Sequence, residues 1–87
     1  MNEVLVLTQP ACELCDHAKR VLEQLAPEYE LTVRELSFDS EEGRALATAH
    51  RLLFAPGVLV NGSPFSYGRL SERKLRRTLD RHTSRQP

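Results

Sequence analysis

The sequence predicts an α/β domain in which a four-stranded mixed sheet carries helices on both faces, in the order β-α-β-α-β-β-α. Two observations predict this architecture. A segment with a helical apolar period joins two strand-like segments, and a helical crossover makes the strands it joins parallel. An Asn61-Gly62 pair separates two further strand-like segments and is typical of an antiparallel hairpin turn. The 87 residues suffice for one domain, which we assign to residues 1–82, with residues 83–87 as a flexible C-terminal tail.

The first half of the chain contains a strand, a helix and a second strand. Residues 4–7 are a continuous apolar run, which is typical of a buried central strand. Residues 12 to about 26 carry the helical period, and Pro27 is expected to stop this helix. Residues 31–36 are rich in strand-forming residues and partly alternate between apolar and polar. The helix is expected to bury Leu14, Ala18, Val21, Leu22 and Leu25.

A second helix is predicted over about residues 41–51. Asp39 or Ser40 can cap its N-terminus, because both side chains accept hydrogen bonds from backbone N–H groups that have no partner within the helix. Gly43 weakens this helix, since glycine has a low helix propensity. The apolar side chains expected to face the sheet are Ala45, Leu46 and Ala49.

The last third of the chain is predicted to form a hairpin and a helix. Residues 58–60 and 63–67 flank the turn, and Pro64 places the last strand at the sheet edge because proline cannot donate a ladder hydrogen bond. Ser71 is expected to cap a third helix that extends to about Arg81. Three leucines give this helix its apolar side: Leu70, Leu75 and Leu79.

Cys12 and Cys15 begin the first helix directly after the buried strand. A disulfide between them closes a short loop and restrains little unfolded-state entropy, which favours a chemical role over a structural one. The helix N-terminus also stabilises a thiolate. Cys15 falls at the border of the apolar side and is expected to be partly buried, whereas Cys12 lies at the helix tip. We therefore predict that Cys12 is the attacking thiolate and Cys15 the resolving thiol.

Composition and charge predict a soluble, cytoplasmic, monomeric protein. The first apolar run is too short for a secretory signal, and no segment approaches the ~20 apolar residues of a membrane span. The charges cancel overall but are uneven, with a net charge of −6 over residues 1–50, +1 over residues 51–68 and +5 over residues 69–87. We interpret the basic end as a solvated helix face and predict no nucleic-acid or membrane partner.

Three segments carry a family resemblance. They are residues 9–16 (Gln-Pro-Ala-Cys-Glu-Leu-Cys-Asp), Ala55-Pro56 before a strand, and residues 67–71 (Tyr-Gly-Arg-Leu-Ser) before the last helix. With the buried strand that precedes the cysteines, these segments resemble glutaredoxin-like proteins of the thioredoxin-fold superfamily, and in particular a small bacterial glutaredoxin-like subfamily. The resemblance extends over roughly residues 3–80.

The resemblance implies a thioredoxin fold and a thiol–disulfide oxidoreductase that reduces protein or small-molecule disulfides. It implies a cis peptide bond at Pro56, with the Ala55 backbone pairing with an extended substrate. Pro10, Gly68 and Arg69 complete the implied substrate-binding set. No metal or organic cofactor is required beyond the two cysteines. The implied electron donor is glutathione or thioredoxin reductase, and Arg69 would bind a glutathione carboxylate.

The sequence departs from the pattern of glutathione-dependent enzymes at three places. Glu13 and Leu14 stand between the cysteines, where those enzymes usually carry proline and an aromatic residue. Residues 8–9 are Thr-Gln, where those enzymes usually have a lysine. Gly68 is followed by Arg69, where they usually have a second glycine and then an acidic residue. Glutathione is therefore one of two donors that stay open.

The alternatives to an oxidoreductase are a structural zinc site, an iron–sulfur cluster carrier and a binding module. Structural zinc needs about four ligands, and His17 points about 160° away from Cys15 around the helix, so we predict no metal ligands. A glutathione-dependent iron–sulfur cluster carrier would join two chains through Cys12. A catalytically weak binding module would use the basic last helix as its surface. These last two functions stay open as alternatives.

Overall fold

The computed structural model describes residues 2–84, and the side chains of residues 2–82. Four strands form one mixed sheet in the order β2-β1-β3-β4, and helices pack against both of its faces. The fold class and the element order predicted from the sequence are confirmed. The elements are β1 (Asn2–Thr8), α1 (Glu13–Tyr29), β2 (Leu31–Ser37), α2 (Glu41–His50), β3 (Gly57–Val60), β4 (Ser63–Tyr67) and α3 (Glu72–Ser84).

β1 is the central strand, as the sequence predicts. It pairs in parallel with β2 and in antiparallel with β3, where Val6 lies opposite Val58. β4 pairs with β3 and forms one edge of the sheet, and Pro64 lies on it as predicted. Asn61 and Gly62 have φ angles of 50° and 84°, which are the two left-handed conformations that the predicted hairpin turn needs.

The sheet divides the apolar core into two clusters. The face that carries Val4 and Val6 packs against α1 and α3, and the opposite face, which carries Leu7, packs against α2. This division follows from the alternation of side chains along β1. The larger cluster contains Val4, Val6, Ala18, Val21, Leu22, Leu25, Val58, Val60, Leu70, Leu75 and Leu79, and the smaller contains Leu7, Ala47, Leu52 and Leu59.

α1 differs from the prediction at both ends. It begins at Glu13, one residue after the predicted start, and it continues through Pro27 to Tyr29. Proline near the end of a helix removes one backbone hydrogen bond. The last turn is nevertheless closed, because the N–H of the left-handed cap residue Glu30 bonds to the Ala26 carbonyl. The prediction that Pro27 stops the helix is therefore wrong.

Leu14 was predicted to be buried, but its side chain is 37% exposed. Side chains of a helix lean toward its N-terminus, so Leu14, in the first turn of α1, projects past the end of the core. Cys15 takes the inward position in this turn. The remaining predicted core residues of α1 are buried, and they are Ala18, Val21, Leu22 and Leu25.

α2 is capped by Ser40, whose Oγ accepts a hydrogen bond from the Gly43 N–H at 3.0 Å. Its inward side is rotated from the predicted one, with Gly43 and Ala47 buried and Leu46 half-buried. Gly43 has no side chain, so the helix lies directly against the Ser37 carbonyl, and this close approach sets the rotation. The residues wrongly predicted to face the sheet are Ala45 and Ala49, which are exposed.

α3 begins after Ser71, whose Oγ accepts a hydrogen bond from the Lys74 N–H at 3.2 Å, as predicted. The three leucines predicted to face the core are fully buried. The helix extends to Ser84, beyond the predicted end at Arg81, and residues 85–87 of the predicted tail lie outside the described residues. No helix within residues 2–84 is long and apolar enough to cross a membrane.

Replacing Gly43 with alanine should lower the free energy of unfolding by about 1–3 kcal/mol, although alanine is normally the better helix former. A Cβ at this position would overlap the Ser37 carbonyl oxygen, so the helix or the preceding turn must shift. Urea denaturation followed by far-UV circular dichroism measures the change. The control is Ala45→Gly at an exposed position of the same helix, where propensity alone should cost about 0.5–1 kcal/mol. A Gly43→Ala variant more stable than the wild type would contradict the packing described.

Candidate functional site

The loops that carry the predicted site residues meet at one end of the sheet. Leu7, near the end of β1, lies opposite Gly57, the first residue of β3. Gly57 in turn lies opposite Tyr67, the last residue of β4. The loop after β1, the loop before β3 and the segment after β4 therefore leave the sheet at the same end. They carry Cys12, Cys15, Ala55, Pro56, Gly68 and Arg69.

Cys12 is the N-terminal cap of α1. Its backbone is extended (φ −120°, ψ 106°), and its Sγ accepts a hydrogen bond from the Cys15 N–H at 3.1 Å. Its carbonyl accepts a second bond from the Asp16 N–H, also at 3.1 Å. The sulfur occupies the place of the oxygen that usually caps a helix, where the partial positive charge of the N–H groups favours an anion.

The two cysteines differ in exposure. Cys15 lies in the first turn of α1 and is 1% exposed, whereas Cys12 is half-buried. The two sulfurs form a disulfide, and the Cα atoms are 5.2 Å apart. The structure therefore has the asymmetry that the sequence predicts, in which a reacting partner reaches Cys12 before Cys15.

The peptide bond between Ala55 and Pro56 is cis, as the resemblance implies. Pro56 is fully buried, and its carbonyl accepts a hydrogen bond from the Gly68 N–H at 2.9 Å, which ties this loop to the end of β4. The backbone N–H and carbonyl of Ala55 make no hydrogen bond with any other residue between 2 and 84. Ala55 therefore keeps unused backbone hydrogen-bonding capacity beside the cis bond.

The remaining predicted site residues lie at the same end of the sheet. Gly68 is buried with a φ of 79°, a left-handed conformation that favours glycine. Arg69 follows it with an exposed side chain, and Pro10 is exposed in the turn between β1 and α1. These residues therefore share one end of the sheet, while the substrate-binding roles of Pro10, Ala55, Pro56, Gly68 and Arg69 stay predictions.

An open groove of about 590 Å³ beside Pro10 was not predicted from the sequence. A polar cluster lines it, in which Thr8 Oγ1 donates a hydrogen bond to Glu35 Oε2 at 2.8 Å. Lys19 Nζ lies 3.5 Å from the same oxygen and 4.0 Å from Asp16 Oδ1. Glu35 reaches this position because of the parallel register between β1 and β2, and the alternation within β2 is the one sequence signal that bears on that register.

A second unpredicted feature is a set of four exposed apolar side chains on the segments that meet at this end of the sheet, here called the apolar rim. It consists of Leu14 between the cysteines, Leu53 and Phe54 just before Ala55, and Tyr67 at the end of β4. The Phe54 and Tyr67 rings are in edge-to-face contact, with centroids 4.9 Å apart and an interplanar angle of 83°. The sequence signal for this feature is the Leu-Phe pair before Ala55-Pro56. That pair would be equally typical of residues buried in the core, so their exposure could not be predicted.

The basic last helix is partly neutralised by its neighbours. Arg76 binds Glu28 of α1 at 2.7 Å and Glu72 at 3.1 Å, and these carboxylates raise the pKa of its guanidinium. The Tyr29 O–H donates a hydrogen bond to Asp80 at 2.7 Å, which raises the pKa of the tyrosine. The bonds of Arg76 to Glu28 and of Tyr29 to Asp80 join α1 to α3, so part of the basic charge of α3 contributes to packing.

The arrangement of the His, Cys, Asp and Glu side chains bears on metal binding. Residues 2–84 contain no group of three or more His, Cys, Asp or Glu side chains placed to hold a metal ion. His17 lies on α1 with a buried Nδ1 that has no hydrogen-bond partner among the described residues.

The chain is similar to a known protein family in sequence and to solved structures in fold. A family model described as Glutaredoxin-like domain (DUF836) matches residues 3–80. No curated protein matches the chain in sequence. A mutant thioredoxin from Halobacterium salinarum NRC-1 is similar in structure, with a TM-score of 0.74 over 99% of this chain and 78% of that one, at 22% identity. Oxidised thioredoxin O2 from Arabidopsis thaliana has a TM-score of 0.69 over 93% and 74% of the two chains, at 15% identity. These similarities confirm the thioredoxin fold.

In the reduced protein, iodoacetamide should modify Cys12 at least about tenfold faster than Cys15, because Cys12 is reachable and lies where a thiolate is favoured. Cys15 is shielded by the core. A short iodoacetamide pulse after reduction, followed by digestion and mass spectrometry, gives both rates. In urea the two cysteines should react at similar rates, which serves as the control. Similar rates in the native protein would contradict the asymmetry.

Proposed function

We propose that this chain, which belongs to the glutaredoxin-like domain family (DUF836), is a thiol–disulfide oxidoreductase with Cys12 and Cys15 as its redox-active pair. One observation carries the proposal: a half-buried sulfur caps α1 and is bonded to a buried sulfur one turn further on. A structural disulfide has no need of that exposure difference, whereas a two-step exchange requires it.

The reaction follows from the two positions. The Cys12 thiolate attacks one sulfur of a substrate disulfide, forms a mixed disulfide and releases the other sulfur as a thiolate. Cys15, as its thiolate, then attacks Cys12 Sγ, which forms the intramolecular disulfide and releases the second substrate thiolate. The substrate gains two electrons, the protein dithiol loses them, and the two thiol protons of the protein pass to the released thiolates.

The local charges determine how strongly the Cys12 thiolate is favoured. The Cys15 N–H donates directly to the sulfur, and the helix N-terminus adds its partial positive charge. The exposed carboxylates of Glu13 and Asp16 oppose the thiolate. Lys19 is shared between Asp16 and Glu35 and offsets the carboxylates in part. Because solvent and salt screen exposed charges, we expect the direct backbone contact to dominate.

The cis-proline loop supplies a candidate binding edge. Ala55 has unused backbone donor and acceptor groups, which suit an extended substrate segment. The buried Pro56 holds this loop in place through its bond to Gly68. Pro10 and Arg69 lie exposed at the same end of the sheet, and they are proposed to contact the substrate on either side.

Turnover also needs a two-electron donor that reduces the Cys12–Cys15 disulfide again. The two proposed donors are glutathione, for which Arg69 offers a bidentate carboxylate partner, and thioredoxin reductase. No metal or organic cofactor is needed for the exchange itself. Both donors act where thiols are kept reduced, and we therefore propose a monomer that works in the cytoplasm.

The purified protein should accelerate NADPH consumption when it reduces bis(2-hydroxyethyl) disulfide. The assay is coupled either to glutathione with its reductase or to thioredoxin reductase. Cys12→Ser should return the rate to that measured without protein, because the attacking sulfur is lost. Cys15→Ser should still attack but accumulate a mixed disulfide, which mass spectrometry detects as added mass on Cys12.

Two results would count against the proposal. One is an absence of disulfide reduction with both donors. The other is a Cys12→Ser variant that retains the wild-type rate. Arg69→Ala separates the donors, since it should raise the KM for glutathione by a larger factor than it lowers the rate with thioredoxin reductase.

A further inference from the structure

Most of the exposed large apolar side chains of the described residues lie on the segments that meet at the disulfide end of the sheet. Within the described residues, five large apolar side chains are exposed, and four of them form the apolar rim. Monomeric proteins rarely cluster such groups without a binding role. The fifth, Val33, lies away from the rim on the edge strand β2.

Two of the rim residues, Leu53 and Phe54, lie on a loop whose ends are buried. Leu52 and Ala55 are buried, so both ends of this loop segment are fixed in the core. Between them, Leu53 is 70% exposed and Phe54 is 53% exposed. Two exposed apolar residues thus lie between the anchored ends of the loop, where an apolar partner can reach them.

Phe54 is also fixed from the side. Its ring packs edge-to-face on Tyr67, and a Cβ added to Gly68 would lie 3.1 Å from Phe54 Cε1. Gly68 therefore leaves space for the Phe54 ring, and it also adopts the left-handed backbone conformation of the turn. A pre-positioned aromatic ring binds an apolar side chain with little loss of conformational freedom.

The exposed carboxylates in the first turn of α1 disfavour an anionic partner on that side of the disulfide, although Lys19 offsets Asp16 in part. Glu13 and Asp16 are both exposed in the first turn of α1, next to Leu14 of the rim. Glutathione carries two carboxylates and one ammonium group, so it approaches these acids with a net negative charge. An uncharged, apolar segment of a protein meets no such repulsion.

We propose that the preferred substrates are disulfides in extended protein segments with an apolar residue next to the reacting cysteine, which the Phe54–Tyr67 pair binds. This inference rests on the proposed function. The segment pairs with the free backbone groups of Ala55, and its apolar side chain packs against Phe54, which immediately precedes them. Phe54 and Tyr67 thereby set specificity without touching the reacting sulfurs.

Four disulfides test the proposal, and one of them is a small reference compound. Two are homodimers of a short uncharged peptide with one cysteine, identical except that leucine or serine precedes the cysteine. The third is oxidised glutathione, and the reference is bis(2-hydroxyethyl) disulfide. Each is mixed with the prereduced full-length protein, and acid quenching with mass spectrometry gives the rate at which the protein dithiol is oxidised.

The wild-type protein should react about tenfold faster with the leucine peptide than with the serine peptide, which is the size of effect that one apolar side chain gives in a preformed site. Oxidised glutathione should react more slowly than the leucine peptide. Phe54→Ala should remove most of the preference, so that its rate with the leucine peptide falls relative to its rate with the reference compound. Tyr67→Ala should weaken the preference, because it removes the ring that supports Phe54. Val33→Ala is the matched control and should keep it.

Three results would overturn the proposal: equal wild-type rates with the two peptides, a faster reaction with oxidised glutathione than with either peptide, or a Phe54→Ala variant that is slowed equally with every disulfide. A protein that fails to react even with the reference compound would overturn the proposed function, and this inference with it. A protein that reacts with the reference but shows no peptide preference would overturn the inference alone.

Discussion

The antiparallel pairing of β1 with β3 is the constraint on which the site depends. It sets Leu7 opposite Gly57, so the chain leaves β1 toward Cys12 at the point where it enters β3 from the cis-proline loop. Gly57 is tightly enclosed, since an added Cβ would lie 3.0 Å from a Leu52 methyl group. A one-residue slip would turn every β3 side chain to the other face of the sheet, and the core would forbid it.

Much of the fold could be predicted from the sequence, because its signals are local. The apolar run of β1, the hairpin turn and the cap of α3 each depend on residues close together in the chain. The errors occur where a contact between distant segments of the chain determines how a helix is oriented or which side chain is buried. Gly43 rotates α2 because the Ser37 carbonyl lies against it, and Leu14 projects from the core because the sheet ends before the first turn of α1.

Some parts of the candidate site follow from local sequence signals, whereas others depend on contacts between distant segments. The cysteine pair could be recognised from its spacing and from the strand before it, and the cis bond at Pro56 from the resemblance. The contact of Glu35 with Thr8 depends on strand register, and the exposure of Phe54 depends on how the loop is anchored. Neither is written in a local pattern, since the same residues would suit a buried strand or loop.

The proposed redox pair and most of the apolar rim belong to different segments. The sulfurs sit on α1, whereas Leu53 and Phe54 sit on the loop before β3, which buries its neighbours and leaves these two residues free of core packing. Substitutions at these two positions can accumulate at little cost in folding stability and with no effect on the helix that carries the dithiol. Under the proposed function, a lineage can thus acquire new redox partners by changing this loop alone, while the cysteine pair is inherited intact.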